Sequence, residues 1–146
     1  MSLRDWLSNG WLSEHVTSPE EIADLLGVCD RDLKDCRVDG LSADWKFSIA
    51  YNAAVQAATA ALATAGSRAA RESHHYRVLQ SLAHTIGADA PLVRRLDLFR
   101  KKRNIGGYEA AGRISDGEAS EMAALAPELR ARVEAYIRRT RPELLP

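Results

Sequence analysis

Ten consecutive residues, Arg94 to Arg103, hold six basic side chains and a single acid, Asp97. The whole chain carries 20 basic and 20 acidic residues, a formal charge of zero, so this run is a local excess. Residues 1 to 40 hold the opposite excess, nine acids against four bases. The plain reading of the run is a solvated helix end whose cations favour the helix dipole. Spacing adds a second reading. Leu92, Leu96, Phe99 and Arg103 recur at i, i+4, i+7 and i+11, so Arg103 continues the apolar stripe. An arginine aimed at the core side must be paired, for example with Asp44 or Glu72, or must stand at the rim of a cleft. Arg100 and Asn104 flank the same stripe one turn apart. Two guanidinium forks beside an amide suit a phosphate or carboxylate. Gly106 and Gly107 are expected to end the helix or to let a partner backbone come close, and Tyr108 beyond them could return its hydroxyl over these side chains.

Other chemistry-bearing residues are sparser. His74 and His75 are adjacent, so on a helix they diverge by about 100° and share one metal poorly. His75 lies in line with Leu79, Leu82 and Ile86, which predicts a buried or rim histidine. Cys29 and Cys36 lie seven residues apart on an apolar helical face and read as core packing. Two cysteines supply neither a disulfide framework nor a four-cysteine zinc site. No phosphate loop, nucleophile elbow or zinc-protease motif occurs, so no metal or cofactor is expected.

The elements that must carry these residues read as helices throughout. Alternating β-branched runs are absent and alanine is abundant. A short first helix, Leu3 to Glu14, makes an N-terminal helical arm over residues 1–16. Ser18-Pro19-Glu20-Glu21 opens a second helix with a capping box, running to Cys36. A third, Ser42 to Ala65, bears alanines on nearly every side, which predicts a central position in a bundle. The fourth spans Glu72 to Ile86 and the fifth runs from Asp89-Ala90-Pro91 toward Gly106. The sixth starts at the capping box Ser115–Glu118 and reaches Arg139, with a kink or split expected at Pro127. Short connections favour antiparallel neighbours, hence an all-α, up-and-down bundle of five to six helices in one domain, residues 1–146.

With 46% hydrophobic and 27% charged residues, 146 residues are enough for one core. The opening MSLRDWLSNG lacks a signal-type apolar run, and the most apolar stretch, Ile49 to Gly66, is broken by Asn52, Gln56, Thr59 and Thr64. A cytoplasmic protein with no membrane association is expected.

The run Phe99-Arg100-Lys101-Lys102-Arg103-Asn104 followed by Tyr108 resembles the signature helix end of HEPN-domain proteins. Ala50-Tyr51-Asn52-Ala53-Ala54 is similar to that family's alanine-rich central helix, and His74-His75-Tyr76 opens the next. The resemblance covers residues 42–110 best. It implies a helical, commonly dimeric protein whose two signature segments meet in a composite cleft. Many members are metal-independent ribonucleases of toxin–antitoxin or defence systems, others only bind RNA or nucleotides, and some act with a nucleotidyltransferase partner. The family's histidine after the arginine has no counterpart here, because Ile105, Gly106 and Gly107 occupy its places. Glycine cannot move protons, so the resemblance implies a homodimer that binds RNA or a nucleotide at Arg100, Arg103, Asn104 and Tyr108, with weakened or no ribonuclease activity. Two alternatives stay open. One is an active metal-independent endoribonuclease drawing on Arg100, Arg103, Tyr108 or His75. The other is a non-catalytic adaptor for an antitoxin or nucleotidyltransferase.

Overall fold

A computed structural model describes residues 1–105 and 114–146, with the side chains of Asn104 and Ile105 outside that description. The chain begins with α1 (Leu3–Ser8), in which Ser2 and Asp5 close a capping box. Asn9 and Gly10, the latter at φ +76°, then reverse the chain, and β1 (Leu12–Glu14) follows. The expected helix to Glu14 therefore stops at Ser8, and the arm of residues 1–16 holds a six-residue helix followed by a three-residue strand. β1 pairs antiparallel with β2 (Ser67–Ala69), Leu12 opposite Ala69 and Glu14 opposite Ser67. The amide of His15 donates to the carbonyl of Gly66, extending the ribbon by one rung.

Helix α2 (Pro19–Asp35) starts at Ser18, whose hydroxyl accepts from the Glu21 amide. The Glu21 carboxylate does not complete a capping box. It accepts instead from the Thr17 hydroxyl, at 2.7 Å, and lies 2.7 Å from His15 Nε2. Helix α3 (Ala43–Thr64) is capped by Ser42 and is the spine of the protein. Its alanines from Ala50 to Ala63, together with Phe47, Tyr51, Val55 and Leu62, are buried on all sides. Small side chains let α2 and α7 (Asp116–Thr140) lie close along it, and these are its most extensive contacts. Gly66 closes α3 at φ +86°, a conformation that suits glycine, and turns the chain into β2.

The expected fourth helix is two pieces, α4 (His74–Gln80) and α5 (Leu82–Thr85). Between them the Ser81 hydroxyl donates to the Val78 carbonyl at 2.6 Å, a local bond that competes with helix continuation. α4 starts two residues later than expected because Ser73 takes the left-handed conformation, φ +54°. α6 (Ala90–Ile105) buries Val93, Leu96 and Phe99, the last packing edge-on against Phe47 at 5.5 Å. α7 opens with the Ser115–Glu118 capping box and continues unbroken through Pro127, so the expected split is absent. Its buried stripe of Met122, Ala126, Leu129, Val133 and Ile137 holds it on α3, and a 3-10 turn (Pro142–Leu144) ends the chain. The result is an all-α bundle with one small ribbon. Among the described residues, no helix is long and apolar enough to cross a membrane.

Candidate functional site

Arg100 and Arg103 stand one turn apart on the last turns of α6, which the burial of Leu96 and Phe99 fixes against the bundle. Arg100 is largely covered, its Nε donating to Asp97 Oδ1 at 2.9 Å and its guanidinium lying 5.2 Å from the centre of the Tyr76 ring. Arg103 lies over the Tyr51 ring of α3, at 5.1 Å. Its Nε is buried and has no hydrogen-bond partner among the described residues. A buried guanidinium N–H without an acceptor is costly, so this atom is a feature to be explained.

Three other cations of the basic run are paired with acids. Arg95 forms a two-pronged ion pair with Glu121 of α7, and Lys102 pairs with Glu118. Lys101 reaches Asp97 Oδ2 at 3.3 Å. The local excess of positive charge is thus spread over acids on α6 and α7. Arg103 differs from these three in having no carboxylate partner among the described residues. No local sequence signal tied Arg95 and Lys102 to α7, because their partners lie 26 and 16 residues away.

His75 enters the same place from α4. Its Nδ1 lies 3.2 Å from the Tyr51 hydroxyl, and its ring is tilted against that of Tyr51. Burial, followed by repulsion from Arg103, His74 and Arg100, pushes the His75 imidazole below its ordinary value of 6.5, toward the neutral form. Burial pushes the Tyr51 hydroxyl up to about 12, outweighing the opposing pull of Arg103 and Arg100. Tyr51 therefore keeps its proton, and its hydroxyl oxygen can accept from an Nδ1–H, the tautomer that leaves the Nε2 lone pair free and facing away from Tyr51.

Two depressions flank the arginines. One, of about 540 Å³, is lined by Ser73, His74, His75, Tyr76 and Arg100. The other, of about 240 Å³, is lined by Arg31, Asp32, Trp45, Ser48, Ile49, Asn52 and Arg103. At its base Asp32 accepts from Asn52 at 2.6 Å and from Arg31 at 3.0 Å.

Of the residues singled out by sequence, the structure brings Arg100, Arg103 and His75 to one end of the bundle. Tyr108 and the Asn104 side chain lie outside the described residues. Tyr51, Tyr76, Asp97 and Trp45 join the site without having been singled out, although Tyr51 stands in the alanine-rich segment that carries the resemblance. Among the described residues no cluster of three or more His, Cys, Asp or Glu is placed to hold a metal ion. Cys29 and Cys36 are buried free thiols, Cys29 pushed by burial up to about 12 and so unreactive. The arrangement offers guanidinium N–H groups for an anion beside a neutral imidazole, which suits phosphate recognition and proton transfer. No family model, no curated protein and no solved structure matches the chain.

Proposed function

We propose that this chain is a HEPN-like, cytoplasmic homodimer that binds RNA or a nucleotide through phosphate contacts of Arg100 and Arg103, within a toxin–antitoxin or defence-type system. The observation that carries the reading is the buried, acceptor-free Nε of Arg103 beside the His75–Tyr51 pair. A phosphate oxygen brought to Arg103 supplies an acceptor that its Nε lacks among the described residues, with Arg100 one turn away, and the bidentate geometry of guanidinium suits it. Filter binding or fluorescence anisotropy with a short labelled RNA tests this, using Arg103→Ala as the control. Light scattering at micromolar concentration tests the dimer.

The His75 position favours a second reading, metal-independent cleavage of RNA. A neutral imidazole next to two guanidinium groups is equipped to take the 2′-hydroxyl proton, while the arginines hold the charge that builds on phosphate. The 2′-oxygen would attack phosphorus as the P–O5′ bond breaks, and the 5′-oxygen would leave with the proton that His75 had taken, giving a 2′,3′-cyclic phosphate and a 5′-hydroxyl end. In this reading His75→Ala abolishes RNA cleavage and spares binding, and the pH profile rises through an apparent value below 6.5. Absence of cleavage by the wild type leaves the binding reading alone.

A further inference from the structure

Trp45 is about two-thirds exposed, at 65%, whereas Trp6 is buried and Trp11 lies beneath the Arg77 guanidinium at 3.8 Å. Neither an aromatic nor a cationic partner covers the Trp45 ring among the described residues. Its backbone is nevertheless fixed, since Ser42 Oγ accepts from the Trp45 amide at 3.1 Å and anchors the first turn of α3. An uncovered indole held on a rigid turn serves no packing purpose. It lines the depression that also contains Arg31 and Arg103, two guanidiniums against the single carboxylate of Asp32. The polar edges of Asn52 and Asp32 lie along the same wall.

From this juxtaposition we propose that Trp45 is a stacking platform for an unpaired base whose neighbouring phosphate sits on Arg103, so that the ligand of this site is a single strand rather than a free nucleotide. The inference rests on the reading of Arg103 as a phosphate contact. Three features favour a strand. The Trp45 and Tyr76 depressions share no lining residue and are linked through Arg100 and Arg103 on consecutive turns of α6. A mononucleotide fills one of them, whereas a chain crossing the two arginines reaches both. A base locked in a duplex has no free face for the indole, whereas an unpaired base stacks on it with little regard to sequence.

The test uses the full chain and a uridine hexanucleotide, the same hexanucleotide annealed to its complement, and uridine monophosphate. Intrinsic fluorescence reports all three tryptophans, and the part due to the exposed Trp45 is read as the difference from Trp45→Phe. We expect the single strand to quench the indole and to bind more tightly than the duplex or the monophosphate. Trp45→Ala should weaken binding of the strand by roughly tenfold to a hundredfold, Trp45→Phe should restore most of it, and circular dichroism should be unchanged in both. Wild-type affinity in Trp45→Ala, with loss in Arg103→Ala, overturns the stacking platform and leaves the phosphate reading standing. Equal affinity for strand and duplex overturns it too. If the wild type binds none of the three probes, the phosphate reading falls and the inference falls with it.

Discussion

The Tyr51 hydroxyl of the central helix lies 3.2 Å from Nδ1 of His75, while the ring of the same tyrosine lies beneath the guanidinium of Arg103. One buried side chain thus touches both groups on which the proposed chemistry depends. The hydroxyl orients the imidazole and the ring face supports the cation.

These two contacts are separable. Tyr51→Phe removes the hydroxyl and keeps the ring, so it should cost about 1 kcal/mol of stability and leave RNA affinity close to wild type. Tyr51→Leu removes the ring as well and should weaken both. Denaturant unfolding and RNA anisotropy on the two variants check this, and equal losses of affinity would argue against a role for the ring.

His75 makes stability depend on pH. Because the fold holds its value below 6.5, the unfolded chain takes up this proton first as the pH falls. The stability due to neutral His75 is present in full above that value and is lost as pH drops through the folded one. The thermal midpoint of the wild type should decline between about pH 7 and pH 5, and His75→Gln should flatten that decline. Parallel curves for the two proteins would contradict the assignment.

Glu118 acts in a more acid window. The Lys102 ammonium first, and then the Ser115 amide, hold its carboxyl down to about 2. Its contribution is complete above the ordinary 4.5 and is lost as pH falls toward that lowered value. The pair lies at the surface, with Lys102 exposed and Glu118 half-buried, so it adds little at high salt. Its cap on α7 matters more, and Glu118→Ala should cost about 1 kcal/mol in urea unfolding at neutral pH. Lys102 would also be released, adding one free cation beside the proposed site.

Phe99 carries the α6 end. It is fully buried, edge-on to Phe47, with the Arg95 guanidinium 4.6 Å from its ring centre. Phe99→Ala should cost about 3–5 kcal/mol, and any folded fraction should bind RNA poorly because α6 no longer fixes Arg100 and Arg103. Phe99→Leu, which keeps most of the volume, should recover much of both.

Helix positions were legible because local chemistry dictates them. Ser18, Ser42 and Ser115 each accept from the amide three residues on, and the alanines on nearly every side of α3 required a central place. The ribbon was not legible, since two strands of three residues are too short to show alternation and are held by pairing across 53 residues or more of chain. The break at Ser81 was hidden because its apolar spacing continues through both α4 and α5 while a hydroxyl bond diverts the backbone. For the site, the inward spacing of Arg103 and the rim position of His75 could be read from periodicity. Their meeting on Tyr51 could not, because it depends on how α3, α4 and α6 pack. The acids that neutralise Arg95 and Lys102 were equally out of reach on α7.

The most direct measurement is the affinity of a short single-stranded RNA for the wild type and for Arg103→Ala, across a range of salt concentrations. Arg103 as a phosphate contact predicts at least a tenfold loss in the variant. It also predicts a slope of log affinity against log salt shallower by about 0.7, with helicity unchanged. The same affinity and the same slope in a folded Arg103→Ala protein would contradict the account.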